Sequence, residues 1–139
     1  MTGDFPKAGQ VFGYHFLWQW QAKRGETEGR KKRNVCAAVV VTNDRGKHVV
    51  FIAPITKQEP DDDRAAIEIP KIEARRAKLD TDIRLWIILD EMNSDIVEES
   101  YTLEERTAKG AFSPAFTESI VRGILAIRKA GKLRVTGRV

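Results

Sequence analysis

The chain has 139 residues, of which 42% are hydrophobic and 32% charged, and its formal net charge is +4. This length fits one domain, and this composition excludes a disordered tail and a membrane-spanning chain. Cys36 is the only cysteine, which excludes an internal disulfide and a zinc site of several thiolates, and is typical of a reducing compartment. Because the first residues lack the apolar run of a signal peptide, we expect a cytoplasmic protein with one domain over residues 1–139.

The first half of the chain predicts three β-strands. Residues 10–18 are rich in β-branched and aromatic types and predict the first strand. Residues 19–33 are polar and contain two glycines, so they predict a long, exposed basic loop. Residues 35–42 and 48–55 are apolar runs separated by Asn43-Asp44-Arg45-Gly46, and this pattern predicts a β-hairpin.

The second half predicts shorter strands and two helices. Residues 65–69, 85–89 and 95–103 read as strands, and a short helix is expected near residues 71–78. Ser113 as N-cap and Pro114 at the first helical position predict a helix over about 113–130, followed by a basic tail over 131–139. Several short strands followed by a terminal helix indicate an α+β fold, with a small β-barrel or sheet covered by the helix.

The basic residues are concentrated in the predicted loop and tail. The segment from Lys23 to Arg33 holds six basic and two acidic residues, and six bases but no acid follow Glu118. Binding of a polyanion requires local cation density rather than a high net charge. The pattern therefore fits a nucleic-acid partner, and equally fits solvated loops and chain ends.

The sequence gives no positive indication of a metal or cofactor. His15 and His48 are the only histidines, and neither has a partner at ligand spacing. The acidic run 61–63 is more typical of a solvated loop, and neither a glycine-rich phosphate loop nor a nucleophile elbow occurs. We expect no cofactor and no metal, and a buried, unreactive Cys36.

Short motifs follow one another in a distinctive order. They are Gly25-Glu26-x-x-Gly29, a basic cluster ending at Arg33, the apolar strand 35–41, Ala53-Pro54-Ile55-Thr56, Gln58, and Trp86-Ile87-Ile88-Leu89-Asp90-Glu91. Over roughly residues 9–130 this order resembles the MazF/PemK (Kid) family of toxin endoribonucleases. The resemblance implies a small SH3-like β-barrel of strongly curved antiparallel sheet, a homodimer, and no association with a membrane.

The resemblance also implies a reaction. In that family the ribose 2′-OH attacks the adjacent phosphorus of single-stranded RNA without metal, leaving a cyclic phosphate and a 5′-OH. Arg33 matches the arginine of the family's Arg-Pro pair, Thr56 the threonine of its Ile-Thr pair, and Asp90 an acidic position on a later strand. A guanidinium can hold two phosphate oxygens as charge develops, and a hydroxyl can position another.

Partners follow from the same resemblance. RNA would also contact basic and polar side chains around Arg33, namely Lys23, Arg24, Arg30, Lys31, Lys32 and Gln58. A cognate antitoxin is implied as well, whose disordered acidic tail would cover the RNA groove.

Two other functions stay open. Asn34 stands where the family has proline after the arginine, and Ile88 where some members have a second arginine, so the chain could bind nucleic acid or a partner without cutting it. A third reading is a CcdB-like inhibitor of a protein target, although residues 131–139 contain no aromatic side chain for such a contact.

Overall fold

The structure is a computed structural model that describes residues 5–138, and these residues form an α+β fold around a strongly curled, mainly antiparallel sheet. In chain order the elements are β1 (Gln10–His15), α1 (Gln19–Lys23), β2 (Lys32–Thr42), β3 (His48–Thr56), β4 (Ala66–Glu68), α2 (Lys71–Arg76), β5 (Trp86–Ile88), β6 (Glu91–Ile96), β7 (Gly110–Ala111), α3 (Pro114–Lys129) and β8 (Arg134–Gly137).

The β2–β3 hairpin is the centre of the sheet and confirms the hairpin predicted from sequence. In its turn Gly46 has a φ of +77°, and Asn43 Oδ1 accepts hydrogen bonds from the backbone N–H groups of Arg45 and Lys47 at 2.9 Å each. The strand order is β4-β5-β3-β2-β1-β7. The first half of β3 pairs with β6 and its end pairs with β5, so the sheet curls along this strand.

Both faces of the central strands are buried. One face packs against α3 and α2 through a cluster that includes Val11, Cys36 and Ile120. The opposite face forms a second cluster around Phe12, Tyr14, Phe16 and neighbouring aliphatic side chains. Burial on both faces explains why β2 and β3 read as continuous apolar runs rather than as alternating ones. Cys36 is fully buried, as predicted, and burial raises the pKa of its thiol to about 12.

Where β2 pairs with β3, β2 contains one residue that has no partner on β3. Ala37 pairs with Ile52 and Val39 with Phe51, so the extra residue between them, Ala38, forms a β-bulge. Between the bulge and the start of β2 the pairing is regular, from Ala37 opposite Ile52 to Val35 opposite Pro54.

The C-terminal helix lies close to its predicted position. Ser113 is the N-cap of α3 and its Oγ accepts a hydrogen bond from the Phe116 N–H at 3.2 Å. The buried carboxylate of Glu73 on α2 accepts hydrogen bonds from both the N–H and the Oγ of Ser113, at 2.8 and 2.7 Å. The two helices are therefore joined at the start of α3. Within residues 5–138, no helix is long and apolar enough to cross a membrane.

Three sequence predictions are corrected. Residues 19–33 are not all loop, because they begin with α1. The strand expected over 95–103 ends at Ile96. Beyond it, Ser100 Oγ donates a hydrogen bond to Asp95 and accepts one from the Leu103 N–H. These local bonds take the place of hydrogen bonds to a neighbouring strand. The basic tail 131–139 contains β8, which pairs in parallel with β6.

We expect the His48–Glu98 pair at the start of β3 to give an acid-dependent contribution to stability. A hydrogen bond from the His48 ring, and then one from its backbone N–H, lower the pKa of Glu98 from 4.5 to about 2. A depressed carboxyl pKa stabilises the fold above about pH 4.5, and this contribution is lost as the pH falls towards 2. An exposed pair is worth at most about 1 kcal/mol, so Glu98→Gln should lower Tm by about 2–4 °C at pH 6.

Thermal unfolding of the wild type and Glu98→Gln between pH 6 and pH 2.5 checks this expectation. The difference in Tm should shrink as the pH falls. A difference that stays constant over this range would show that Glu98 does not act through its charge.

Candidate functional site

Arg33 and Thr56 are brought together by the pairing of β2 with β3. Continued to the strand ends, the pairing of Val35 with Pro54 places Arg33 opposite Thr56. Cross-strand neighbours point to the same side of a sheet, and these two side chains both line a groove. The groove consists of two adjoining cavities of about 500 and 310 Å³, and Gln58 lines both as well.

Arg33 is a half-buried cation that contacts the ring of Trp18. Its guanidinium carbon lies 5.4 Å from the centroid of the Trp18 ring, a cation–π contact. Within residues 5–138 no carboxylate forms an ion pair with it, and burial lowers the pKa of its guanidinium. A desolvated and unneutralised guanidinium at the wall of a groove is a strong binding group for an anion.

Thr56 presents a hydroxyl beside that guanidinium. Its Oγ1 accepts a hydrogen bond from the Gln58 N–H at 3.1 Å. No acceptor for the hydroxyl proton occurs in the described part of the chain, so this proton is available to a group in the groove. Arg33 and Thr56 can therefore both donate to one anionic ligand.

The structure does not bring the third predicted catalytic residue, Asp90, to the groove. Asp90 is buried, and its carboxylate accepts bonds from the Arg64 guanidinium at 2.8–3.2 Å and from the Ala65 N–H at 3.2 Å. Arg64, which the sequence analysis did not identify, is the residue that lines the groove at this point. Its Nη1 makes no hydrogen bond to any described residue, and its guanidinium carbon lies 5.9 Å from the Trp18 ring centroid.

Glu91 extends this ion-pair cluster to α1. Its side chain is 2% exposed, and its Oε1 accepts a bond from Arg64 at 3.1 Å. Its Oε2 accepts one from the Gln19 N–H at 2.6 Å. Arg134 of β8 lies 3.7 Å from Asp90 and 3.9 Å from Glu91. The charges of two carboxylates and two guanidinium groups thus neutralise one another. This cluster holds in place the side of the groove that Trp18 and Arg64 line.

The predicted RNA-binding cations differ in their surroundings. Lys31 and Lys32 line the larger cavity, although Lys32 is ion-paired with Glu105. Arg30 forms two hydrogen bonds to Glu26, at 2.9 and 2.6 Å.

Lys23 and Arg24 are exposed at the end of α1 and line neither cavity of the groove. The loop that follows is held close to the sheet, because a Cβ on Gly29 would overlap the backbone of His15 and Phe16.

Neither histidine lines the groove. The His15 ring lies 3.8 Å from Glu104, and its backbone oxygen accepts a bond from Arg138 at 2.7 Å. His48 is at the far end of β3 with Glu98. Among residues 5–138, no group of three or more His, Cys, Asp or Glu side chains is arranged to hold a metal.

Compared with models of protein families and with curated proteins, the chain matches none. Two guanidinium groups, a hydroxyl and an indole ring around an open cleft can bind a phosphate group flanked by planar rings.

Proposed function

We propose that the protein is a toxin-like endoribonuclease that cleaves single-stranded RNA without metal, in a small SH3-like barrel of the MazF/PemK kind. The observation that supports this most directly is Arg33, a half-buried guanidinium that pairs with no carboxylate of residues 5–138 and lines an open groove together with Thr56. Burying an uncompensated charge lowers stability, so such a residue is typical of a site that binds an opposite charge.

The proposed reaction uses these groups on the scissile phosphate. The 2′ oxygen forms a bond to phosphorus and loses its proton, while the bond from phosphorus to the 5′ oxygen breaks and that oxygen takes up a proton. Arg33 and Thr56 donate hydrogen bonds to the phosphate oxygens as negative charge builds up on them. Arg64 donates a further hydrogen bond to these oxygens through its Nη1, which bonds to no other residue among 5–138. Asp90 acts as a positioning residue that holds Arg64.

The proposal includes the partners implied by the resemblance. A cognate antitoxin with a disordered acidic segment would cover the groove and compete with RNA for the same cations. The protein would act in the cytoplasm as a homodimer.

The test is cleavage of a long unstructured RNA by purified protein in excess EDTA. We expect fragments with 2′,3′-cyclic phosphate and 5′-OH ends, and no cleavage of an oligonucleotide with 2′-deoxy sugars. Arg33→Ala, purified in parallel, should form the same fragments far more slowly, which separates this activity from a contaminating ribonuclease. Intact RNA with folded, partner-free protein would contradict the proposal.

A second candidate function is binding of RNA without cleavage. It is favoured by the place of Asp90, whose carboxylate is bound to Arg64, and by the absence of a histidine from the residues that line the groove. Salt-dependent binding of RNA that stays intact would select this candidate.

A further inference from the structure

A third cavity shares Trp18 and Arg33 with the groove. It has a volume of about 230 Å³ and is lined by Trp18, Trp20, Gln21, Arg30, Lys31 and Arg33, with Phe16 behind Trp18. We call these lining residues the aromatic pocket. Because Trp18 and Arg33 line both this pocket and the groove, a ligand held at Arg33 can extend into the pocket.

Trp20 and Arg30 provide planar surfaces in the aromatic pocket. Trp20 is 49% exposed, which is unusual for so large an apolar side chain. The Arg30 guanidinium carbon lies 4.9 Å from the Trp20 ring centroid, and its two hydrogen bonds to Glu26 keep it there. Indole rings and guanidinium planes are the surfaces on which proteins stack unpaired bases.

Gln21 provides a hydrogen-bond donor in the same pocket. Gln21 is 4% exposed. Its Oε1 accepts a hydrogen bond from the backbone N–H of Trp18 at 3.0 Å, and this bond fixes the orientation of the amide. No described residue accepts a hydrogen bond from its Nε2. Because Gln21 lines the pocket, an acceptor on the edge of a ligand there can take a hydrogen bond from this amide.

We propose that the aromatic pocket binds one nucleobase of the RNA strand, next to the phosphate held by Arg33. The base stacks on the surface of the Trp20–Arg30 pair, and Gln21 Nε2 donates a hydrogen bond to an acceptor on the base edge. This inference rests on the proposed function, and it names the residues that set base preference at that nucleotide.

Binding is measured by fluorescence anisotropy with a labelled, unstructured 12-nucleotide RNA, carrying 2′-fluoro sugars so that it cannot be cut. A stacked base contributes about 1–3 kcal/mol, so Trp20→Ala should weaken binding by about 5-fold or more, and Trp20→Phe by less. Tyr101→Ala is the matched control, because Tyr101 is an aromatic residue that is 97% exposed and lies outside the pocket. It should bind like the wild type.

A series of RNAs with one abasic position each identifies the stacked nucleotide. One abasic position should weaken binding by the wild type about as much as Trp20→Ala does, and should have no further effect in that variant. Gln21→Glu keeps the acceptor for the Trp18 N–H but removes the donor. It should therefore change the relative affinity for the four bases at that position, which a general effect of charge or folding would not do.

The outcomes separate this inference from the function on which it rests. If the wild type binds RNA and Trp20→Ala binds as tightly as Tyr101→Ala, the base pocket is refuted and the proposed function stands. If RNA binds with the expected losses but is never cut, the pocket stands and the endoribonuclease is refuted. If the folded wild type does not bind RNA, both are refuted.

Discussion

Arg33→Ala is expected to lower the rate of RNA cleavage by about 10²–10³-fold, the usual effect of removing one donor to a developing oxyanion. The same change should leave Tm unchanged or slightly higher. Arg33 is half-buried and pairs with no carboxylate in the part of the chain that the structure describes, so removing its charge relieves desolvation rather than breaking an ion pair. A loss of activity without a loss of stability is the behaviour expected of a functional residue.

Arg33→Lys separates charge from geometry at this position. Lysine keeps the positive charge but cannot hold two phosphate oxygens in one plane or stack as a guanidinium does on Trp18. We expect RNA binding close to that of the wild type and a rate closer to that of Arg33→Ala. Fluorescence anisotropy with the uncleavable 2′-fluoro RNA measures binding, and single-turnover cleavage measures the rate. Full activity in Arg33→Lys would show that Arg33 acts only as a local charge.

Asp90→Ala is expected to lower the free energy of unfolding by about 3 kcal/mol, because it leaves the two guanidinium groups of a partly buried cluster with Glu91 as their one remaining carboxylate there. Asp90 accepts bonds from Arg64 and from the Ala65 N–H, and it lies near Arg134. Urea denaturation measures the loss. A change below about 1 kcal/mol would mean that this cluster is not an important stabilising contact.

Asp90→Asn then tests whether the carboxylate acts in the reaction. As a positioning residue, Asp90 should affect the rate through Arg64, so the double variant with Arg64→Lys should be little worse than either single variant. The acidic limb of the pH profile for the cleavage rate should also persist in Asp90→Asn. Loss of that limb would instead identify Asp90 as the general base.

Local signals in the sequence predicted much of the fold. The β2–β3 hairpin follows from two apolar runs and a turn rich in Asn, Asp and Gly, and α3 follows from Ser113 and Pro114 at its start. Arg33, Thr56 and Gln58 lie together in the groove, in agreement with the motif order. These features depend on residues near one another in sequence, or on one hairpin.

The features that the sequence did not predict depend on distant contacts. Helix α1 has Trp18 as its N-cap, which is not a typical N-cap residue, and the N–H of its first residue, Gln19, is bound by Glu91, 72 positions further along the chain. The charges of Arg134 and Arg138 suggested a solvated tail, but Arg134 lies near Asp90 and Glu91, and Arg138 binds the His15 oxygen. Arg64 was missed because its place in the groove is set by Asp90, 26 positions further along the chain.

The β-bulge determines where strand β2 can change in length without moving Arg33. Loss of Ala38 would close the bulge and leave Arg33 opposite Thr56, because the pairs on both sides of it are already in register. Loss of a residue between the bulge and the groove, such as Cys36, would instead bring Lys32 opposite Thr56 and replace a guanidinium with an ammonium. During evolution, insertions and deletions in this strand should therefore accumulate at the bulge, whereas the spacing from Arg33 to Ala37 should stay constant.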